Sequence, residues 1–368
     1  MLLTIRDQSH FFNYINFAKY SKSIVVGISL NQKLTKIGFN LSLIGEKIMN
    51  KNNIKTFFTY LQSEQTAQQF LYQQYQYIED INPEKMSFEN CQAFIYYIKH
   101  GFHFYETGKS LTTILQPILF FYGMTHLIKA VLLTKRPHYP ESTKLLAHGV
   151  SSRKRKKQNY VFMEDEVMIH NHGLFSYFSE HLYQIGRMNT NKLKMGDLLA
   201  LVPEMSPLFT LHHQQTLVRI GSIGTKELTF PITLLDHYHL TAKSFLRHLH
   251  TFLPKVLSTS IHEDYIHLEL ATPIQASSGP FFFNTEDHSI SFPLHRDLFI
   301  PFSEVMIHYL LLYNLSMLSR YETEWWGELI ATKSNTDYPF IVHFLYNSSK
   351  KIPLLLGNEM YLNHFKFK

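Results

Sequence analysis

The chain has 368 residues but only one cysteine, Cys91. This excludes an intramolecular disulfide framework and a zinc site built from several cysteines. Charged residues are scarce as well, at 17% of the chain against 45% hydrophobic residues. Such a composition excludes a disordered chain and predicts a globular protein with one large core or two ordinary ones. A single cysteine is typical of a reducing compartment, so we predict a cytoplasmic protein.

An unbroken apolar run of membrane-spanning length is also absent. The longest apolar stretch, residues 111–133, contains Gln116, Pro117, His126 and Lys129. A charged side chain near the bilayer centre costs roughly 2 to 3 kcal/mol on insertion scales. The stretch therefore indicates a buried helix of a protein without a membrane partner. The N-terminus has no continuous apolar segment followed by a small-residue cleavage site, so export by a signal peptide is not expected.

Residues 1–48 lack the sustained apolar period of the rest of the chain. The string GEKIM at residues 45–49 could be encoded by a purine-rich run just before an ATG, as in a translated ribosome-binding site. We therefore expect residues 1–48 to be a spurious or disordered extension and the natural product to begin at Met49. The alternative is a genuine but poorly packed extension.

Both terminal thirds of the remaining chain have apolar residues at spacings of three and four, which predicts α-helices. The predicted helices cover residues 54–82, 88–104, 111–134, 142–147, 303–321, 322–332 and 339–347. The centre instead has β-branched and aromatic runs broken by turn residues, which predict strands. Strands are predicted at 167–178, 216–220, 227–232, 265–272 and 281–293, with hairpins at 219–232 and 280–294 and one helix at 241–252.

This arrangement predicts an α+β fold, in which a mainly helical bundle carries a β-rich insertion. Residues 49–150 form the first part of the bundle and residues 301–368 complete it. Residues 151–300 form the insertion, with one helix among its strands.

Four separate segments carry a family resemblance. They are FYGMTHLIKAVLLT at 121–134, STKLLAHGVSSRKRKKQNYVF at 142–162, DEVMIHNHGLFSYFSE at 165–180 and HYLLLYNLSMLSRYETEWW at 308–326. In this order they resemble the YaaC-like proteins, a family of Gram-positive bacteria. The resemblance extends from Ile54 to the C-terminus and implies no activity.

A weaker resemblance relates the aromatic-rich helix before Arg136 to helical bundles of the HEPN superfamily. Many members of that superfamily cut RNA or bind nucleotides, and its ribonucleases carry an arginine and a histidine separated by four to six residues. No arginine of this chain is followed by a histidine after four to six intervening residues. The resemblance therefore implies a binding bundle without the catalytic pair.

Five consecutive cations follow the predicted helix at 142–147. They are Arg153, Lys154, Arg155, Lys156 and Lys157. Clustered guanidinium and ammonium groups bind phosphates and release condensed counterions. The net charge of +6 also suits an acidic partner. We predict that this basic block binds RNA or a nucleotide, and the alternative is a solvated loop.

Three further residues near the block belong to the predicted anion site. Arg136 and His138 lie in a turn stiffened by prolines, and His148 precedes Gly149 at a predicted helix end. If these residues carried out chemistry, the protein would be a nuclease or nucleotide hydrolase that uses the Arg136 and His148 region. The alternative for His148 is a structural helix cap.

Arg320 and Trp325 form a predicted second site, because a cation and an aromatic ring one to two helical turns apart can stack a base. The alternative is a packed junction of two helices. The His-x-His pairs of the chain lack an evident third ligand, so neither a metal nor a cofactor is expected.

A third hypothesis is a structural or protein-interaction role. In this case the bundle would form a homodimer through an aromatic helix face that contains Tyr309, Leu312 and Tyr313.

Overall fold

The computed structural model describes residues 50–152, 160–186 and 191–366. It confirms the α+β fold, with helices and two antiparallel sheets. Residues 1–48 and the basic block at 153–157 lie outside the described residues.

The N-terminal part of the bundle contains four helices. They are α1 (Lys51–Tyr60), α2 (Glu64–Tyr75), α3 (Pro83–Ser110) and α4 (Gln116–Lys135). The side chain of Asn82 accepts a hydrogen bond from the amide of Lys85 at 3.0 Å and so caps α3, whose first residue is Pro83. The single helix predicted at 54–82 is two helices, because a non-helical turn separates Tyr60 from Glu64. The predicted helix at 142–147 is a short 3₁₀ turn, Thr143–Leu146.

The central region contains more helix than predicted. Its helices are α5 (Leu174–Tyr183), α6 (Met195–Leu199), α7 (Ser206–Leu211), α8 (Leu234–Tyr238) and α9 (Ala242–Leu249). Only α9 was predicted. The predicted strand at 167–178 is wrong beyond Ile169, since Phe175, Phe178 and Leu182 have helical spacing and are buried in α5. Gly173 begins this helix at a φ of 109°, a conformation that favours glycine.

The C-terminal helices are α10 (Glu304–Tyr321), α11 (Thr323–Thr332) and α12 (Asp337–Lys366). Helix α4 packs against α3, α5, α10 and α12. This position explains why α4 is apolar nearly all round and why its core residues, such as Met124 and Leu127, are fully buried. By length and hydropathy α4 could also cross a membrane, but 72% of its most apolar window is buried inside the protein.

Two glycines let α3 and α4 approach closely. A Cβ atom on Gly123 would lie 3.0 Å from the carbonyl oxygen of Gly101, and one on Gly101 would lie 3.2 Å from that of Gly123. Both distances are tighter than ordinary van der Waals contact. The side chains that flank the two glycines on neighbouring turns are therefore brought together across the two helices.

A three-stranded sheet packs against this bundle. Its strands are β1 (Val150–Ser152), β2 (Glu166–Ile169) and β3 (Lys192–Lys194), in the order β1-β2-β3. Val150 and Val167 are buried in the same core as the helices. This part of the predicted insertion therefore shares the core of the bundle.

A six-stranded antiparallel sheet forms a second core. Its strands are β4 (Leu217–Ser222), β5 (Glu227–Pro231), β6 (Val256–Ile261), β7 (Tyr265–Leu270), β8 (Phe282–Phe283) and β9 (Ser289–Pro293), in the order β6-β7-β5-β4-β9-β8. Both predicted hairpins are present, as β4–β5 and β8–β9. Sequence reasoning missed β6, an edge strand whose residues are mostly exposed. One face of the sheet packs against α8 and α9 through residues such as Phe230 and Phe245.

A buried ionic cluster joins the two cores. The ammonium of Lys351 on α12 lies between the carboxylates of Glu204 and Glu304, and it donates a hydrogen bond to the carbonyl of Phe283 in β8 at 2.6 Å. All three ionic side chains are at most 1% exposed. The second oxygen of Glu204 accepts hydrogen bonds from the amide and hydroxyl of Thr285 at 2.8 and 3.0 Å. The cluster thus fixes the β8–β9 hairpin to the helices.

Two further polar side chains complete this cluster. Ser277 donates a hydrogen bond to Glu304, and its oxygen accepts one from the amide of Phe283 at 2.9 Å. The ring of His308 lies 3.0 Å from the hydroxyl of Ser348 through Nδ1 and 3.6 Å from Glu304 through Nε2. The hydrogen bonds of Ser277 and the contact of His308 Nδ1 with Ser348 satisfy polar groups that would be costly to bury alone.

Burial and pairing set the pKa values in the cluster. Burial alone would raise the pKa of Glu304, but the positive charge of Lys351 holds it below its usual value. Burial would lower the pKa of Lys351, yet the two carboxylates raise it. The pKa of His308 is lowered, chiefly by burial, so this ring is neutral at neutral pH.

We predict that Lys351→Met lowers the free energy of unfolding by roughly 3 to 5 kcal/mol, because it leaves two buried carboxylates unpaired. Urea denaturation measures this change. The matched control is Lys350→Met, since Lys350 is exposed and only contacts the ring of Tyr346. The control should cost less than about 1 kcal/mol. Equal losses in the two variants would contradict a structural role for the cluster.

A second prediction concerns pH. The pKa of His308 is lower in the folded protein than its ordinary 6.5. As the pH drops below 6.5, the unfolded chain therefore binds a proton at His308 more readily than the folded protein does. The free energy of unfolding falls as a result. His308→Gln should make this fall shallower, by at most about 1.4 kcal/mol per pH unit. Denaturation at a series of pH values measures the slope. Exposed His138→Gln is the control, and the same slope in all three proteins would disprove the assignment.

Candidate anion-binding face

Arg136 serves a local structural contact. Its guanidinium pairs with the carboxylate of Glu141 and donates a hydrogen bond to the hydroxyl of Tyr177 at 3.1 Å. Tyr177 in turn donates to Glu141 at 2.7 Å. His138 is exposed in the same turn. The positive charge of Arg136 is therefore balanced within the protein.

His148 lies far from Arg136. Its ring packs against Phe121 and Tyr122, with ring centroids 4.9 and 6.2 Å apart, whereas Arg136 follows the other end of α4. About 14 residues of helix separate these points, or about 20 Å along the axis. The structure therefore does not bring Arg136 and His148 together, and anion binding by either residue stays a prediction.

Arg320 and Trp325 are also separated. Arg320 lies over the rings of Tyr122 and Tyr321, at 5.9 and 5.3 Å from the guanidinium carbon. Trp325 packs edge-on against Tyr160 at 4.7 Å instead. The structure thus places Trp325 against Tyr160, whereas Tyr321 is the ring beside Arg320, and base stacking at this second site stays a prediction.

The structure brings His148 and Arg320 together at Tyr122. Tyr122 contacts both side chains, and its hydroxyl accepts a hydrogen bond from Arg320 at 3.3 Å. The ring of Tyr313 lies 5.8 Å from that of His148. The backbone of His148 is fixed as well, since its carbonyl accepts a hydrogen bond from the hydroxyl of Tyr309 at 3.0 Å.

Because α3 and α4 approach each other closely, the surface around Tyr122 extends along both helices. On α4, Tyr122, His126 and Lys129 follow one another at helical spacing and are half-buried. The ring of His126 stacks on that of Phe104 at 5.6 Å and lies 5.5 Å from that of His100. The ammonium of Lys129 lies 5.8 Å from the centre of the Tyr97 ring.

We define the cationic face by its five basic side chains. They are His100, His126, Lys129, His148 and Arg320. Lys129 and Arg320 have no carboxylate within ion-pair distance among the described residues. Their charges are contacted by aromatic rings and by neutral oxygen and sulfur atoms.

Burial lowers the pKa values of three side chains of this face, and nearby positive charge lowers two of them further. Burial lowers the pKa of His126 to about 4, with further lowering by Lys129 and His100. The pKa of His148 is lowered by burial and then by the charges of Arg320 and Lys129. Burial also lowers the pKa of Lys129. An anion placed on the face would relieve this repulsion and favour the protonated form of both histidines.

The basic block adjoins this face in the sequence. Gly149 follows His148, and β1 runs from Val150 to Ser152, the last residue before the block. The basic block thus begins five positions after His148 in the sequence. Arg153, Lys154, Arg155, Lys156 and Lys157 themselves lie outside the described residues.

The helix face predicted to form a dimer is not available. Tyr309 and Leu312 are completely buried, and Tyr313 is 6% exposed. These side chains fill the core between α10 and α4 within a single chain. A homodimer that uses another surface stays a prediction.

The YaaC-like Protein family model matches residues 59–360. The chain belongs to this family. Among curated proteins and among solved structures, no match was found. The matched region of this YaaC-like chain includes the whole cationic face and the buried cluster around Lys351.

Sequence reasoning missed Lys129, His126 and His100. Their signal was present, since Lys129 and His126 are the polar interruptions of an otherwise apolar helix and lie on one face with Tyr122. Within the part of the YaaC-like chain that is described, no group of three or more potential ligands is arranged to hold a metal. The groups that the face presents are cations and aromatic rings, which are capable of charge pairing and ring stacking.

We predict that the NMR titration of the His126 ring has a midpoint of about 4. Lys129→Gln should raise this midpoint, because it removes a nearby positive charge that opposes protonation. The control is Lys55→Gln, an exposed lysine on α1. A midpoint that does not move in Lys129→Gln, or that moves equally in both variants, would contradict the electrostatic coupling.

Proposed function

We propose that the protein binds single-stranded RNA through the cationic face, without cutting it. The observation that carries this proposal is the position of Lys129 and Arg320, two cations that have aromatic neighbours and no carboxylate partner among the described residues. A protein that needs these charges only for its own stability would pair them with acids, as it does for Arg136 and Lys351. An external phosphate supplies the missing counter-charge.

Aromatic side chains at this surface support a single-stranded partner. Tyr321 is 65% exposed beside Arg320, and Tyr96 is 55% exposed on α3. Unpaired bases stack on exposed rings and on guanidinium planes, whereas bases in a duplex present only their edges. RNA or DNA duplexes would therefore use the cations of this face but not its rings.

The composition of the face favours binding over catalysis. General acid–base hydrolysis requires a pair of groups that exchange protons at the scissile bond. His126 and His148 both have lowered pKa values and only cations and aromatic rings as their close side-chain neighbours. A binding bundle is also what the HEPN resemblance implies in a chain without the arginine and histidine spacing of the ribonucleases. A nuclease or hydrolase role has no comparable support.

The test is fluorescence anisotropy with a labelled, short single-stranded RNA across a range of salt concentrations. The double variant Lys129→Gln/Arg320→Gln should bind more weakly, and its plot of log affinity against log salt should be less steep by about 1.4, or about 0.7 per lost phosphate contact. Neutralising Arg153, Lys154 and Arg155 should lower the affinity further.

The matched control is Lys55→Gln/Lys226→Gln, which removes the same charge from exposed positions on α1 and between β4 and β5. It should keep the affinity and salt slope of the unmodified protein. Arg136→Gln should also keep them. Equal losses in the control would indicate a nonspecific charge effect, and unchanged binding in Lys129→Gln/Arg320→Gln would refute the proposed face.

The proposal also predicts a pH dependence. The bound phosphate raises the pKa values of His148 and His126 from their lowered values in the free protein, so each binds a proton more readily in the complex. RNA binding and protonation are linked, so the RNA affinity increases as the pH falls from 7.5 towards 6. In this range an imidazole with an ordinary pKa of about 6.5 gains its proton. His148→Gln should flatten this profile, and an affinity independent of pH in the unmodified protein would contradict the involvement of these rings.

A further inference from the structure

In addition to the cationic face, the structure contains a positively charged cleft, which lies on the side of the six-stranded sheet that α8 and α9 cover. It has a volume of about 620 Å³. This size falls within the range of about 300 to 1,000 Å³ that is typical of small-molecule sites. None of its lining residues belongs to the cationic face, and no residue of this cleft was singled out as a site by the sequence.

Helix α9 supplies one wall of the cleft. Thr241 caps the helix by accepting a hydrogen bond from the amide of Ser244 at 3.3 Å. Phe245 and Leu249 point into the core of the sheet and are fully buried. Because the helix is amphipathic, Ser244, Arg247 and Thr251 occupy the opposite side and line the cleft.

The opposite wall comes from the segment after β9. The 3₁₀ turn Arg296–Leu298 places Arg296 across the cleft from α9, and Phe299 follows it. The ring of Phe299 lies 4.6 Å from that of His248, at an angle of 38°. Tyr238 forms the floor and is fixed there, since its hydroxyl donates a hydrogen bond to the carbonyl of Pro293 at 2.9 Å.

The two arginines of the cleft have no protein counter-charge. Arg247 and Arg296 are exposed, and neither forms an ion pair with a carboxylate among the described residues. Two guanidinium groups that line one cleft suit a phosphate, which can accept paired hydrogen bonds from a guanidinium. The hydroxyls of Ser244 and Thr251 add neutral donors beside them.

We propose that this cleft binds a nucleoside monophosphate. Arg247 and Arg296 hold the phosphate, and the half-exposed rings of His248 and Phe299 contact the base. The aromatic surface distinguishes this ligand from a bare anion or a sugar phosphate, and the limited volume distinguishes it from a polymer that passes through. The site is independent of the proposed RNA-binding face, because its residues and its expected ligand differ from those of the face.

The experiment is isothermal titration calorimetry of the full chain with AMP, ribose 5-phosphate, adenosine and inorganic phosphate. AMP should bind most tightly, because it alone uses both the arginines and the rings. The double variant Arg247→Gln/Arg296→Gln should lose AMP affinity by about tenfold or more, as expected for two charge-assisted contacts. Equal affinity for AMP and inorganic phosphate would overturn the proposal, as would the absence of AMP binding at millimolar concentration.

Two controls separate this site from other effects. Arg219→Gln removes an exposed arginine of the same sheet, whose guanidinium only contacts Ser222 at 3.3 Å, and it should keep the AMP affinity. Lys129→Gln/Arg320→Gln should keep it as well while it weakens RNA binding. If AMP affinity is lost in that variant and kept in Arg247→Gln/Arg296→Gln, the nucleotide binds the cationic face and the cleft proposal is wrong. Circular dichroism confirms that each variant is folded.

Discussion

The ammonium of Lys351, buried between two carboxylates, is the constraint on which the arrangement of the two cores depends. It reaches from α12 to Glu204 and Glu304 of the helical side and to the carbonyl of Phe283 in the sheet. Hydrophobic contacts are not directional and would allow the sheet to slide on the bundle. A buried charge requires its partners in one geometry, so this cluster selects a single position of the β8–β9 hairpin.

The cationic face arises from packing between helices. Gly101 and Gly123 allow α3 and α4 to approach so closely that His100 and His126 lie together. Arg320 reaches the same surface from the end of α10. The apolar contacts beneath these side chains fix the helices and so hold the two imidazole rings, Lys129 and Arg320 on one surface. Burial of the core thus holds the charges of Lys129 and Arg320 where they contact aromatic rings.

The sequence predicted the secondary structure better than it predicted the contacts between distant segments. The α+β class, most terminal helices and both hairpins followed from periodicity and turn residues. The exposed edge strand β6 gave no inward-facing apolar alternation, and the aromatic run of α5 resembled a strand. Local pattern contains no information on which distant segment a helix end will meet.

The same limit applies to the candidate site. His148 and Arg320 were singled out as individual residues, but their common neighbour Tyr122 depends on tertiary packing. The buried cluster was not detectable, because Glu204 and Lys351 are 147 positions apart and each resembles an ordinary surface residue in its own segment. Charge pairing over such a separation is visible only when the chain is folded.

The buried ionic cluster also determines where the chain could be cut into fragments for separate expression. Residues 217–299 contain the whole six-stranded sheet with α8 and α9, which resembles a domain that could be expressed alone. Cutting there would leave Phe283 and Thr285 on one fragment and Lys351 and Glu204 on the other. The fragment with the helices would keep three ionic groups at a newly opened surface, and the sheet would lose the cover of its edge strand β8. The sheet and the helices thus depend on each other for the pairing of these buried groups.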